Sequence, residues 1–157
     1  MRKKVYLETS VISYLTARVS RDLIVAAHQQ ITQEWWENER THYDVFISEL
    51  VVQEAQKGDR DAVKKRLALL KPMKRLLVNE HVIHLAEQII EKRVLPASAM
   101  DDILHIAIAA IHRMDYLLTW NCKHIANAQI QKTITRIIEQ QGYESPVMCT
   151  PEELVED

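Results

Sequence analysis

Three carboxylates in this chain stand where a cation site could be assembled. Glu8 directly follows the β-branched and aromatic run KVYL, Glu54 lies on the amphipathic stretch ELVVQEA, and Asp102 lies in the first turn of the apolar stretch AMDDILHIAIAAIH. On a helix, Glu54 shares a face with Leu50 and Val51, four and three residues before it. A carboxylate on an apolar stripe is costly to bury unless it is paired, hydrogen-bonded or metal-bound. An edge position whose carboxylate reaches water remains the alternative. Asp102 shares a face with Ile106 and Ala109 and gains from the helix N-terminal dipole. Its neighbour Asp101 has a sufficient structural role in Ser98-Ala99-Met100-Asp101, which has capping-box spacing. Converging carboxylates repel one another without a cation. With hard Mg²⁺ or Mn²⁺ they supply oxygen ligands and leave positions for water and a phosphate. The chemistry of such a site is activation of water and stabilisation of charge on a phosphodiester.

The elements that must bring these groups together can be read from period and punctuation. Strands are expected over residues 4–7, 45–47, 116–119 and 147–149, by composition and alternation, while 76–78 is read only as a short extended piece. Helical sequence follows the first strand, and a second helix is expected over 22–39 with Ser20 as N-cap. Ser48 should cap a helix over 49–57 ended by Gly58, and Asp59 a helix over 60–70 stopped near Pro72. Further helices are expected over 80–92, 99–112 and 126–140, the second of these buried because it is apolar almost all round. Thr150-Pro151-Glu152-Glu153 should form a terminal turn. Short strands alternating with helices make an α/β domain with a mainly parallel sheet. In such sheets, sites form beyond the carboxyl ends of the strands. That rule places Glu8, Ser48, Thr119 and Asn121 at one edge. Ser10 and Thr119 there either orient ligands and the attacking water or serve as ordinary capping and strand-end hydroxyls.

Length and composition bound the rest. The 157 residues suit one domain, 1–157, with a single core. The N-terminus lacks the apolar region of a signal peptide, and no apolar run would span a membrane, so a cytoplasmic protein is expected. Cys122 and Cys149 read as free thiols, and His81 and His84 lack the companions of a zinc site. Net charge is −2, which excludes broad phosphate neutralisation as the means of gripping nucleic acid. A metal ion and a local patch would have to supply the positive field. The basic stretch 57–75 is either a solvated helix face or a phosphate-contacting rim. Trp35 and Trp36 cannot both point into one core, so one packs at an exposed edge or against a partner. His105 reads as a satisfied core histidine, with a supporting role to a ligand as the alternative.

Four segments, in order, resemble the motifs of PIN domains: YLETSVISYL, ISELVVQEAQKGD, DDILHIAIA and DYLLTWNCKHIAN. The likeness covers nearly the whole chain, through VMCTPEEL. It maps the family's acidic residues to Glu8, Glu54 and Asp102, and its fourth motif to Thr119 and Asn121. The resemblance implies a three-layer α/β fold with a short, mainly parallel central sheet flanked by helices. It also implies a Mg²⁺- or Mn²⁺-dependent endoribonuclease, often the toxin half of a type II toxin–antitoxin pair. The partners implied are an RNA substrate and a cognate antitoxin, with a homodimer also open. Housekeeping RNA processing and a non-catalytic binding scaffold are the competing readings. Two positions depart from the pattern. Glu8 stands where aspartate is usual, and Asn121 stands where a fourth carboxylate is common, which puts a second metal in doubt.

Overall fold

The computed structural model describes residues 1–156. A five-stranded, wholly parallel sheet runs in the order β3-β2-β1-β4-β5, with β1 Lys4–Leu7, β2 Asp44–Ser48, β3 Lys74–Leu76, β4 Tyr116–Leu118 and β5 Val147–Cys149. The helices between them are α1 Thr9–Thr16, α2 Leu23–Asn38, α3 Glu49–Ala55, α4 Arg60–Leu70, α5 Glu80–Glu91, α6 Met100–Ile111 and α7 Ala128–Gln140. This is the α/β arrangement the sequence predicts, a short parallel sheet flanked by helices.

The strand order determines where a site can form. From β1 the chain steps outward to β2 and β3, then crosses back to β4 and β5 on the other side. Parallel crossovers are right-handed, so the reversal sends the two sets of helices to opposite faces. The contacts follow that division: α1 packs on α2, α3 and α4, while α5 packs on α6 and α7. The connections therefore diverge between β1 and β4, and a crevice opens at their carboxyl ends. Glu8 and Thr119 are the first residues beyond those two strands.

Burial explains the local patterns. Val5, Tyr6 and Leu7 of the central strand β1 are fully buried, as expected for a strand covered on both faces. In α6, Ile103 and the continuous run His105–Ala110 are buried, and Leu104 between them is half-buried. Trp35 is buried, stacks on Tyr43 at 6.0 Å and donates from Nε1 to the Leu154 carbonyl at 2.9 Å. Trp36 is half-buried, with the Arg40 guanidinium 4.2 Å from its ring centroid. The two indoles divide core and edge as their adjacency requires. Among the described residues no helix is long and apolar enough to cross a membrane.

Some helices start where the sequence predicts and others do not, for physical reasons. Ser48 and Asp59 do cap α3 and α4, accepting from Val51 N and Ala62 N, and Gly58 takes the left-handed turn at φ 101°. The second helix is capped instead by Asp22, whose carboxylate accepts from Ile24 N and Val25 N, while Ser20 Oγ accepts from Asp22 N one turn earlier. The capping box at Ser98 does not form. Ala97–Ala99 make a 3₁₀ turn, Ala99 takes the N-cap position without a side-chain bond, and Asp101 is exposed. The short extended piece read at 76–78 is a full strand two residues earlier, β3 at Lys74–Leu76, and Val78 N beyond it donates to Glu49 Oε2 at 3.0 Å. The last long helix begins at Ala128, capped by Asn127.

Capping yields a direct test. Asp22→Ala should lower stability by about 1 kcal/mol in urea denaturation, whereas Asp101→Asn should change it by only a few tenths of a kcal/mol, roughly the dipole contribution. Equal losses would mean that the Ser98 box forms in solution.

Candidate metal centre at the sheet switch point

Glu8 is held at the crevice by the backbone on both sides of it. Its amide donates to the Leu118 carbonyl at 3.0 Å, extending the β1–β4 ladder, and its carbonyl accepts from Val11 N as α1 begins. Its side chain does not cap that helix. Only 6% exposed, it turns inward. Oε1 accepts from Ser10 Oγ at 2.5 Å and from Thr119 Oγ1 at 2.6 Å. Both hydroxyls are themselves oriented, Ser10 Oγ by Trp120 N at 2.8 Å and Thr119 Oγ1 by Asn121 N at 2.9 Å. The hydroxyls left open in the sequence thus form a clamp on one carboxylate oxygen.

Glu54 depends on a short helix held at both ends. Ser48 caps the start of α3, and Arg66 reaches over from α4 to its last turn, donating Nε to the Ala55 carbonyl and Nη2 to that of Lys57. A guanidinium on these carbonyls satisfies groups that would otherwise have no helical partner. Of the basic stretch 57–75, Arg66 therefore has a structural role, while Lys64, Lys65, Lys71, Lys74 and Arg75 are exposed. Glu54 Oε1 accepts from Thr9 Oγ1 at 2.5 Å and bonds His105 Nε2 at 2.7 Å.

The His105 contacts determine its tautomer. A carboxylate only accepts, so Nε2 carries the proton towards Glu54. Nδ1 lies 2.6 Å from the Tyr6 hydroxyl, which lies 2.7 Å from Ser48 Oγ, and Ser48 Oγ accepts from Val51 N. Neutral imidazole completes this chain with no orphan: Ser48 donates to Tyr6, Tyr6 to Nδ1, and Nε2–H to Glu54. Burial holds the Tyr6 phenol well above its ordinary pKa, so it keeps the proton this order needs. His105 is thus a buried histidine with both ring nitrogens engaged.

The ligand atoms of Glu8, Glu54 and His105 lie within 4.8 Å of one another. The hydrogen bonds decide which of them suit a cation. His105 Nε2 is spent on Glu54 and offers no lone pair. Glu8 and Glu54 each take every side-chain bond on Oε1, leaving Oε2 without a protein partner among the described residues. Neither carboxylate has a Lys or Arg within ion-pair distance. Asp102 falls outside this group of three. It stands one turn before His105 on α6, half-buried, with Oδ2 bonded to His124 Nδ1 at 2.8 Å and Oδ1 without a protein partner among the described residues. Asn121 is a turn former: its Oδ1 accepts from His124 N and its carbonyl from Ile125 N and Ala126 N. An oxygen donor set with no lysine or arginine bonded to it among the described residues suits hard Mg²⁺ or Mn²⁺.

None of the family models and none of the curated proteins matches the sequence. A solved structure does match in fold. VapBC2 from Rickettsia felis, bound to a DNA fragment from their promoter, contains a chain that superposes with a TM-score of 0.58. Identity is 14%, over 82% of this chain and 92% of that one. The shared feature is the fold.

Sequence reasoning missed Thr9 and His124. Thr9 follows Glu8 directly and could have been found from the Thr-Ser pair in YLETS. His124 carries no periodic signal, because it lies in a turn whose path Asn121 sets. The other histidines single themselves out less: His81 and His84 are exposed and join no cluster, and among the described residues both cysteines are free. Burial pushes the Cys149 thiol up to about 12, as an inert core thiol requires.

Burial raises the Glu54 carboxyl, but the His105 and Thr9 hydrogen bonds and the Lys57 charge outweigh it and leave the pKa below 4.5. A folded pKa below the unfolded one stabilises the fold above pH 4.5, and that contribution is lost as pH falls through the lowered value. In chelator, the stability difference between wild type and Glu54→Gln should therefore shift against wild type between pH 6 and roughly pH 3. A difference independent of pH over that range would show that the fold does not favour the ionised carboxylate.

Proposed function

We propose that this protein is a Mg²⁺- or Mn²⁺-dependent endoribonuclease, the toxin component of a type II toxin–antitoxin pair, with Glu8, Glu54 and Asp102 as its metal ligands. One observation carries the reading. Glu8 and Glu54 each have one oxygen anchored by the protein's own donors and, among the described residues, one without a protein partner and no lysine or arginine bonded to either; Asp102, one turn before His105 on α6, is anchored in the same way by His124. Buried like charges repel, and an arrangement that adds anions without adding cations is a stable one mainly around a metal.

The residues would divide the work as follows. Glu8 Oε2, Glu54 Oε2 and Asp102 Oδ1 would hold the ion. Bound there, it would lower the pKa of a water and offset charge on the phosphodiester. Ser10 and Thr119 keep Glu8 in one rotamer, and Thr9 and His105 do the same for Glu54, so little reorganisation is needed when substrate arrives. His124 orients Asp102. Asn121 contributes through the turn that presents His124. The fold likeness to a chain of a VapB–VapC complex supports an antitoxin partner for this chain as well.

Mn²⁺ should raise the melting temperature of the purified, antitoxin-free protein and be required for RNA cleavage. Glu54→Gln and Asp102→Asn should each abolish the metal-dependent shift and slow cleavage by roughly a hundredfold or more, about 3 kcal/mol of lost charge stabilisation. A chelator-insensitive melting curve together with intact RNA would overturn the reading in favour of a binding scaffold. Co-expression with the product of an adjacent small reading frame should suppress the activity; unimpeded cleavage would remove the antitoxin part.

Asn121→Asp tests the fourth position. A carboxylate can still accept from His124 N, so the turn should survive. The added anion should lower the Mn²⁺ needed for half-maximal cleavage and lower the melting temperature in chelator. An unchanged metal requirement would place residue 121 outside the reach of the ion.

A further inference from the structure

Beside the carboxylates lie three near-parallel rings from three separate segments. Trp120 follows Thr119, Tyr14 stands one turn after Ser10 on α1, and His28 comes from α2. His28 stacks on Trp120 with centroids 4.0 Å apart and planes 12° apart. Tyr14 lies 6.0 Å from Trp120 at 19° and 6.5 Å from His28 at 20°. His28 and Trp120 are a face-to-face pair, and Tyr14 stands beside that pair at similar distances from both, so the three rings make one aromatic wall. Trp120 is fixed in it by Nε1 donating to Thr32 Oγ1 at 2.7 Å, and Thr32 Oγ1 in turn donates to the His28 carbonyl at 2.6 Å.

The wall is not core. All three residues are half-buried, and among the described residues neither the Tyr14 hydroxyl nor a ring nitrogen of His28 has a protein hydrogen-bond partner. Among the described residues no buried side-chain polar atom lacks a partner, so these tips reach solvent. Exposed cations lie close along the chain: Arg18 and Arg21 in the loop between Tyr14 and His28, and Lys123 three residues after Trp120. The Arg18 carbonyl accepts from Gln29 Nε2 at 3.0 Å, which holds that loop beside His28. The backbone ties the wall to the acidic cluster, because Trp120 N donates to Ser10 Oγ, which donates to Glu8.

We propose that Tyr14, Trp120 and His28 form a stacking subsite for an unpaired base of the RNA, next to the phosphate presented to the carboxylates. Flat π surfaces with cations at their margin are how proteins hold single-stranded nucleic acid. A base within a duplex has both faces covered by its neighbours, so the wall selects unpaired substrate. This deepens the ribonuclease reading and rests on it for the position of the reacting phosphate.

The probe is a 5′-fluorescein octaadenylate, measured by anisotropy in Ca²⁺ alongside the same oligomer with abasic residues and a duplex of equal length. Wild type should bind the parent on the order of tenfold more tightly than either control. Tyr14→Leu and His28→Leu should bring the parent down towards the abasic level, and His28→Phe should restore it. Equal affinity for parent and abasic oligomers overturns the subsite, and this comparison needs no variant to fold. Full binding by both leucine variants, with wild-type melting curves, overturns it too, as does a wild type that binds none of the probes. Mn²⁺-dependent cleavage is measured in parallel. Cleavage without base preference removes the stacking subsite and leaves the nuclease. Base preference without cleavage supports the wall and removes the catalytic reading.

Discussion

Holding Glu8 and Glu54 side by side at the end of the sheet is the constraint around which this site is organised. Two carboxylates with oxygens within 4.8 Å of each other, neither paired to lysine or arginine among the described residues, would separate if their side chains were free. They are not free. Hydroxyls of Ser10 and Thr119 grip one, and Thr9 and His105 grip the other. Hydrogen bonds to an anion from fixed neutral donors stabilise it without cancelling its charge. The field stays negative while the geometry stays rigid, which a lysine partner would not allow.

That arrangement depends on the remainder of the fold through a few contacts. The donors come from β1's end, α1, β4's end and α6, so the site exists only where the sheet topology reverses. The Tyr6–Ser48 link joins the core of the sheet to the cap of α3, and thereby fixes both the His105 tautomer and the start of the helix that bears Glu54. Ser48 serves two functions with one hydroxyl, accepting from Val51 N and donating to Tyr6. Replacing it would disturb a helix cap and a proton order together.

How far these features could be read from residues follows their range. The alternation of strands and helices, the buried character of α6 and the caps at Ser48 and Asp59 are local, and the sequence displays them. Ser98 fails as a cap for a non-local reason: the chain enters α6 through a 3₁₀ turn after Pro96, which leaves its hydroxyl without an amide to accept from. Glu8 and Glu54 were recognisable from strand-end position and helix face. The third neighbour was not. Spacing on α6 places Asp102 and His105 on one face but cannot say which of them touches Glu54, since that depends on the angle at which α6 crosses the sheet. The structure puts His105 against Glu54 and leaves Asp102 with His124.

The low net charge takes its meaning from this arrangement. With −2 overall, attraction for a polyanion cannot come from the molecule as a whole. It has to be local, and the crevice itself is negative. On the proposed nuclease reading, an RNA phosphate would gain little by approaching until a cation had neutralised the carboxylates, while a base beside it would gain from a π surface whatever the charge. Binding and chemistry would then be coupled to metal in different degrees: a phosphate subsite strongly, the aromatic wall weakly. A protein built this way would hold single strands loosely without metal and commit them to reaction only when the ion is present.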